Sequence, residues 1–205
     1  MTSAELSALL VLATVSSFTP GPNTTLSTAM AANHGLRRAM RFVLAVPVGW
    51  GLLFSLCATG LGGLVVAWPP LRWGIVTLGS GYLLWLASRL WGSGSLQHAD
   101  SNKLQVGFVQ GVGLQFLNIK AWMLALAIVA GWIAGRDDAT ERTLMLLPIM
   151  VAYGLVSNLT YAMAGSMLRH WLAHGRRLLM FNRCMSGALL ATVVWLLNGL
   201  RQSIA

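Results

Sequence analysis

Lys120 and the run Phe18-Thr19-Pro20-Gly21-Pro22-Asn23 are the places in this chain where side-chain and backbone chemistry could be concentrated. Lys120 is the one ionisable residue near the middle of a long apolar run, Val106 to Ala134. A charge at the centre of a bilayer costs about 3 kcal/mol on insertion scales and more in simulations. No Asp or Glu falls within any apolar run to pair with it. The ammonium must therefore meet water, backbone carbonyls or a bound anion, or lose its proton. One reading is a polar cavity in which Lys120 meets a substrate carboxylate or cycles a proton. The other is a lysine that only braces two parts of the chain through carbonyls.

The proline run interrupts another apolar stretch, Leu6 to about Asn33. Pro20 and Pro22 have no N–H, so the carbonyls of Ser16 and Phe18 lose their helical partners. Unpaired backbone at membrane depth survives where it is buried in protein or lines a wet cavity. A plain proline kink is the alternative. Beyond the break, Asn23, Thr24 and Thr25 open a half-helix whose free N–H groups and positive dipole end suit a carboxylate. The freed carbonyls suit an ammonium or a proton-carrying water. An amino acid carries both charges, so one double break could hold both ends. Gln115 and Asn118 beside Lys120 offer donors and acceptors. Asn158 and Tyr161 lie in a later apolar run and could face the same space or serve only in packing between helices. The expected substrate-binding and translocation set is thus Pro20, Gly21, Pro22, Asn23, Thr24, Gln115, Asn118, Lys120, Asn158 and Tyr161. No catalytic residue, metal ligand or cofactor is expected. His170 and His174 are four apart, but without a third ligand nearby they read as interfacial.

The elements that must position these residues follow from composition. Of 205 residues, 56% are hydrophobic and 9% charged, against about 25% charged in a soluble domain; mean hydropathy is +0.68. The chain is expected to be an all-α integral membrane protein. Its net charge of +9 sits in short gaps between apolar runs, which excludes nucleic-acid binding and reads as a topology signal. Six spans are expected: Leu6 to Asn33, Phe42 to Ala67, Leu71 to Trp91, Val106 to Ala134, Thr143 to Leu168 and Phe181 to Leu200. The first and fourth are interrupted. Trp68-Pro69-Pro70 ends the second, and a Gly- and Ser-rich linker, 92–105, follows the third. With the N-terminus outside, the basic residues of the Arg37–Arg41, Arg89–Lys103 and Arg169–Arg183 segments outnumber those on the other side. The positive-inside rule then puts both termini in the periplasm and the linker in the cytoplasm. The N-terminus lacks the basic region of a signal peptide, so the first run is expected to be retained.

Trp68, Trp73, Trp91 and Trp171 fall near span ends and read as interfacial anchors. Gly107-x-x-x-Gly111 and Gly131-x-x-x-Gly135 would permit close helix contact. Cys57 and Cys184 fall inside apolar runs and read as small hydrophobes. A transmembrane thiol–disulfide carrier would need a cysteine at each break, and these lie elsewhere. A membrane receptor or accessory subunit without transport of its own is the remaining alternative.

The single transmembrane domain reads as two copies of a three-span unit, about 4–91 and 106–201. Phe18-Thr19-Pro20-Gly21-Pro22 can be set against Phe116-Leu117-Asn118-Ile119-Lys120, Trp50-Gly51-Leu52 against Tyr153-Gly154-Leu155, and Ser80-Gly81-Tyr82 against Ser186-Gly187-Ala188. An odd number of spans per unit makes the repeats inverted, and interrupted helices at matching places point to a transport site at the midplane. Chance similarity among glycine-rich apolar helices is the alternative.

Thr19-Pro20-Gly21-Pro22-Asn23 with a following Gly35-Leu36-Arg37-Arg38 loop resembles the LysE/RhtB family of amino-acid exporters. So do Leu114-Gln115-Phe116-Leu117-Asn118-Ile119-Lys120, Gly81-Tyr82-Leu83-Leu84-Trp85-Leu86 and Ser186-Gly187-Ala188-Leu189-Leu190. The likeness runs from about Leu6 to Leu200 and is nearest the cysteine/O-acetylserine exporter branch. It implies six inner-membrane helices and export of amino acids or their derivatives from the cytoplasm, coupled to protons. The partners implied are a small amino acid, protons and the lipid bilayer, and a homodimer is among the assemblies allowed. The chain departs from the family where Ile119 replaces a proline, which implies a softer second break. It departs again where Trp50 and Leu53 stand at positions that carry an Asp and a His in many members. A coupling scheme built on a buried carboxylate is then open to question, and Lys120 is the remaining proton carrier.

Overall fold

The computed structural model describes residues 1–92, 106–174 and 176–202. The expected linker lies, from residue 93 onward, outside the described residues. Every element among the described residues is helical: α1 Ser3–Phe18, α2 Pro22–His34, α3 Leu36–Ala58, α4 Gly62–Ala67, α5 Pro69–Trp91, α6 Phe108–Leu117, α7 Ile119–Ile128, a π-helical turn Val129–Ile133, α8 Ala139–Leu172 and α9 Arg177–Gln202.

Three helices, α3, α8 and α9, are each long and apolar enough to cross a membrane alone. The pairs α1–α2 and α6–α7 qualify when each is taken as one broken span, bent by 48° and 68°. Both expected interruptions are therefore present. The expected third span forms a helix of 23 residues, α5, but it does not join those that qualify. Arg72, Thr77, Ser80, Ser88 and Arg89 dilute its apolar character.

Several boundaries differ from the expected ones, for reasons that lie in glycine and proline. The second span begins at Leu36, directly after Gly35 at φ 84°, and ends at Ala58. Arg37, Arg38 and Arg41 thus ride on the first turns of α3 and not in a loop. Gly60, at φ 90°, supplies the left-handed turn that separates α3 from α4. The fifth span is longer than expected. Its 34 residues reach roughly 50 Å at ~1.5 Å per residue, well beyond a ~30 Å hydrocarbon core.

Why these helices pack is visible in the glycines. A Cβ at Gly49 of α3 would lie 2.6 Å from the Val112 carbonyl oxygen on α6, and one at Gly165 of α8 would lie 2.3 Å from that of Thr28 on α2. Both crossings bring backbone against backbone, which in lipid replaces the hydrophobic drive as the source of association. Gly111 likewise lies against Ala45, where a Cβ would come within 2.7 Å of the alanine methyl. The second glycine motif does not make a seam: at Gly131 and Gly135 a Cβ would meet nothing within 4 Å. Two apolar clusters flank the middle of the bundle. One holds Met30, Phe42, Leu86, Leu90 and Leu189, the other Leu9, Leu53, Phe54, Ile128 and Leu146.

Candidate functional site

The first break is a short extended segment. Helix α1 stops at Phe18, Thr19 is extended at φ −69°, ψ 127°, and α2 restarts with Pro22 at its first position. Proline suits that position because no N–H is needed there. Thr24 caps the new helix from inside: its Oγ1 accepts from the Gly21 N–H at 2.9 Å and donates to the Gly21 carbonyl at 3.1 Å. The Phe18 carbonyl, freed by Pro22, accepts the Tyr161 hydroxyl at 2.8 Å.

The second break is one residue wide, at Asn118, φ −95°, ψ 97°. Its side-chain oxygen accepts the Lys120 backbone N–H at 3.2 Å and so caps α7. The Trp122 indole N–H takes the Phe116 carbonyl at 2.9 Å. The Leu117 carbonyl oxygen lies so near Gly79 of α5 that a Cβ there would come within 2.1 Å of it. This break was expected to be the softer of the two, since Ile119 stands in place of a proline. It is the sharper, at 68° against 48°. Asparagine capping, the indole and the close approach of α5 do there what proline does at the first.

Lys120 joins the breaks. Its Nζ donates to the Thr19 carbonyl oxygen at 2.9 Å, and the aliphatic end of its side chain lies against Gly21, where a Cβ would come within 3.3 Å of Nζ. The carbonyl that receives the lysine is that of Thr19, and not one of those freed at Ser16 and Phe18; this is the bracing contact set out above as the other reading of Lys120. Asn23 and Gln115 join the breaks a second time, through a reciprocal pair of amide hydrogen bonds at 2.8 and 3.2 Å. Gln115 is fully buried and also donates to the Gly111 carbonyl.

A cavity of about 80 Å³ opens between the breaks, well beyond the ~15 Å³ that admits a water. Gly21, Pro22, Asn23, Thr24, Asn118, Lys120 and Asn158 line it. The other three expected residues are placed differently. Gln115 stands behind Asn23, Pro20 lies in the break itself, and Tyr161 reaches the Phe18 carbonyl. Ser17, Thr19, Trp50, Met150 and Ser157, none of them in the expected set, also line the cavity. Lys120 carries the one formal charge in the lining. Asn158 is already engaged, accepting from Ser27 at 3.0 Å and donating to the Gly154 carbonyl at 2.8 Å.

A larger hollow, about 270 Å³, lies among Arg72, Val76, Ile119, Met123, Trp195 and Leu196 and holds none of the expected site residues. Cys57 and Cys184 are free thiols and lie outside the cavity lining. Asn33 and Asn182, also outside the expected set, form a buried reciprocal amide pair at 2.8 and 2.9 Å. Their signal was a polar amide at the end of the first apolar run and another at the start of the sixth.

Comparison with known proteins shows the family of the chain. The profile of the family described as LysE type translocator matches residues 14–197. A Klebsiella pneumoniae protein named cysteine/O-acetylserine efflux protein is 30% identical over 179 residues, covering 87% of this chain and 91% of that one. A protein of the same name from Salmonella choleraesuis is 29% identical over 181 residues, with the same coverage of each. Another from Escherichia coli O6:K15:H31 is 26% identical over 179 residues, again covering 87% and 91%. No solved structure matches. A polar cavity between two broken apolar helices, with a lysine bridging the breaks, is thus found in a chain that belongs to the LysE type translocator family.

Proposed function

We propose that this protein exports small amino acids or their derivatives from the cytoplasm across the bacterial inner membrane, using the proton gradient. The observation that carries the reading is the Lys120 ammonium on the Thr19 carbonyl, in a cavity with no acidic lining residue. A lining with one cation and many neutral hydrogen-bonding groups suits a zwitterion whose carboxylate replaces Thr19 as the partner of Lys120. The first turn of α2 adds free N–H groups at Asn23 and Thr24. The substrate ammonium then falls to carbonyl and hydroxyl oxygens of the α1 end. The named activity of the similar efflux proteins points the same way.

The architecture we propose is six spans in two inverted three-helix repeats, with both termini in the periplasm. The helix contacts support it. Span one packs on span five and span four on span two, while spans two and five, and three and six, pack on each other. That set is unchanged when the two repeats are exchanged, as a two-fold axis relating them requires, and the odd number of spans in each repeat turns that axis into the membrane plane. The helices that carry the matched sequences touch beside them: Gly51 faces Val151 on α8, and Gly154 faces Pro47 on α3. Ser186 donates to the Ala87 carbonyl on α5 at 2.8 Å. Alternating access would then rock one repeat against the other, with the Lys120–Thr19 contact broken and remade in each cycle.

Efflux of labelled amino acids from cells making Lys120→Ala at the native level tests the reading. Loss of efflux is expected. Unchanged efflux removes Lys120 from the mechanism.

A further inference from the structure

The matched sequences, counted onward, pair the crossings of the bundle. From Phe18 and Phe116 the count brings Thr28 of α2 to Leu126 of α7, and from Trp50 and Tyr153 it brings Gly62 of α4 to Gly165 of α8. Gly165 lies against Thr28, and Gly62 lies against Leu126. The two contacts are thus counterparts on opposite sides of the breaks, but they differ in kind. At Gly165 a Cβ would come within 2.3 Å of the Thr28 carbonyl oxygen, so backbone meets backbone. At Gly62 it would come within 2.8 Å of a Leu126 methyl, so a side chain stands between α4 and α7.

Two more sets of counterparts differ the same way. A Cβ at Gly49 of α3 would lie 2.6 Å from the Val112 carbonyl oxygen on α6. Their counterparts are Ala152 and Thr14, and there the Thr14 hydroxyl meets that of Tyr153 at 3.3 Å, so α1 and α8 touch through side chains. Ser27 of α2 donates to Asn158 of α8 at 3.0 Å. Their counterparts make no such bond: Ala125 has no hydroxyl, and Ser55 donates within its own helix, to the Gly51 carbonyl at 2.9 Å. The close set belongs to α2 and α6, on the side of Arg37 and Arg38. The looser set belongs to α1 and α7, on the side of Glu5. The cavity follows the looser set. Among the described residues α6 gives it no lining and α2 only its first turn, whereas α1 and α7 give Ser16, Ser17, Lys120, Ala121 and Leu124.

We propose that these crossings are the two gates of the export cycle: the Gly165–Thr28 and Gly49–Val112 contacts close the cavity to the cytoplasm, and the Gly62–Leu126 contact, wedged by the leucine, leaves it open toward the periplasm until Leu126 turns aside. The proposal rests on the export and inverted-repeat readings above. Backbone against backbone can close no further, whereas a leucine has other rotamers and its crossing can still tighten. Exchanging the two sets of contacts turns the cavity to the other side, as a pair of inverted repeats allows. Leu126 lies outside the cavity lining, so it is a positioning residue that acts by holding α4 and α7 apart.

The test reads the side from which the cavity is reached, using the full chain in membrane vesicles of both orientations. Ser17→Cys puts a thiol in the lining, and Cys184→Ala removes the exposed native thiol. The chain with Cys184→Ala alone sets the background from buried Cys57. The probe is an anionic, membrane-impermeant methanethiosulfonate, added without substrate. With the minor state of such an equilibrium populated at ~10% or less, labelling from the periplasmic face is expected to exceed that from the cytoplasmic face by ~tenfold or more. Leu126→Ala removes the wedge and should bring the ratio toward one, slower from outside and faster from inside. Leu126→Met keeps the bulk and should keep the ratio. A ratio near one or inverted without a change at Leu126, a ratio unmoved or raised by Leu126→Ala, or an equal fall in Leu126→Met overturns the gates. Efflux of labelled amino acids from cells making the native chain is measured alongside. No efflux overturns the export reading, and the gates with it; efflux with labelling indifferent to side overturns the gates alone.

Discussion

Asn23 on the first turn of α2 and Gln115 in the last turn of α6 exchange two hydrogen bonds, at 2.8 and 3.2 Å, across 92 residues of sequence. Each amide offers the other a donor and an acceptor in one plane, so neither can be replaced alone without stranding its partner. The pair ties the start of one broken helix to the end of the other, on the protein side of the cavity wall. With Lys120 on Thr19 it makes two links between the same two breaks.

Gln115→Leu is the first test of that link. Leucine fills the volume but leaves the Asn23 amide unpaired, and stability in detergent is expected to fall by about 1–2 kcal/mol. The double variant Asn23→Leu/Gln115→Leu removes both polar groups. It should therefore be less destabilised than the sum of the two single changes. Thermal unfolding of the four proteins gives the coupling directly, and simple additivity would show that the two amides do not depend on each other.

Gly79→Ala probes the second break from outside the cavity. The added methyl would lie 2.1 Å from the Leu117 carbonyl oxygen, and backbone on both sides cannot step away as a side-chain tip can. A severe loss of folded protein is expected, since overpacking alone costs about 1–3 kcal/mol and here the contact is with main chain. Gly81→Ala, two residues on and so about half a turn round the same helix, would meet nothing within 4 Å and should leave stability unchanged or slightly raised. The pair of variants, compared by yield of monodisperse protein, separates close packing from mere helix propensity.

Much of this was legible in the residues. The double proline announced the first break because proline lacks an N–H whatever surrounds it. Lys120 stood out because no acid lies in any apolar run. The second break was harder to weigh. Its sharpness comes from the Asn118 cap, the Trp122 indole on Phe116 and the closeness of Gly79 to Leu117. Two of those three contacts are local, and their geometry is not fixed by residue type. The third depends on where α5 lies. The ends of α3 and α8 were misjudged for the opposite reason. Hydropathy marks where a run is apolar, whereas Gly35 and Gly60 mark where α3 can start and stop, and Gly135 precedes the start of α8.

Tyr161→Phe tests how the first break is closed. The hydroxyl supplies the Phe18 carbonyl with its one side-chain donor, at 2.8 Å. Its removal should cost about 1 kcal/mol of stability, and less if water reaches the carbonyl. Efflux is expected to fall less than in Lys120→Ala, because Tyr161 lies outside the cavity lining. Measuring both variants for melting temperature and for efflux distinguishes closure of the break from contact with substrate. Equal losses of efflux at equal protein levels would place Tyr161 beside Lys120 in function.

A last prediction concerns the end of the bundle where α1 begins. Arg142 is buried at the start of α8 and gathers that end together. Its guanidinium donates to Asp138 at 2.7 Å, to Glu5 at 3.5 Å and to the Trp132 carbonyl at 3.4 Å, and Arg136 adds a second contact to Glu5 at 3.2 Å. The hydrogen bond from Arg142, with its charge, holds the Asp138 carboxyl below its ordinary range. A carboxyl whose folded value is depressed binds its proton more readily in the unfolded chain. Its stabilising effect is therefore complete above the unfolded value of about 3.9 and drains away as pH falls through the lower folded one. Melting temperature in detergent should drop between pH 5 and pH 3 in the native protein, and the drop should shrink in Asp138→Asn, whose melting no longer tracks that proton. A native melting temperature flat across that range would mean that these contacts are screened by water and hold α1 to α8 only weakly.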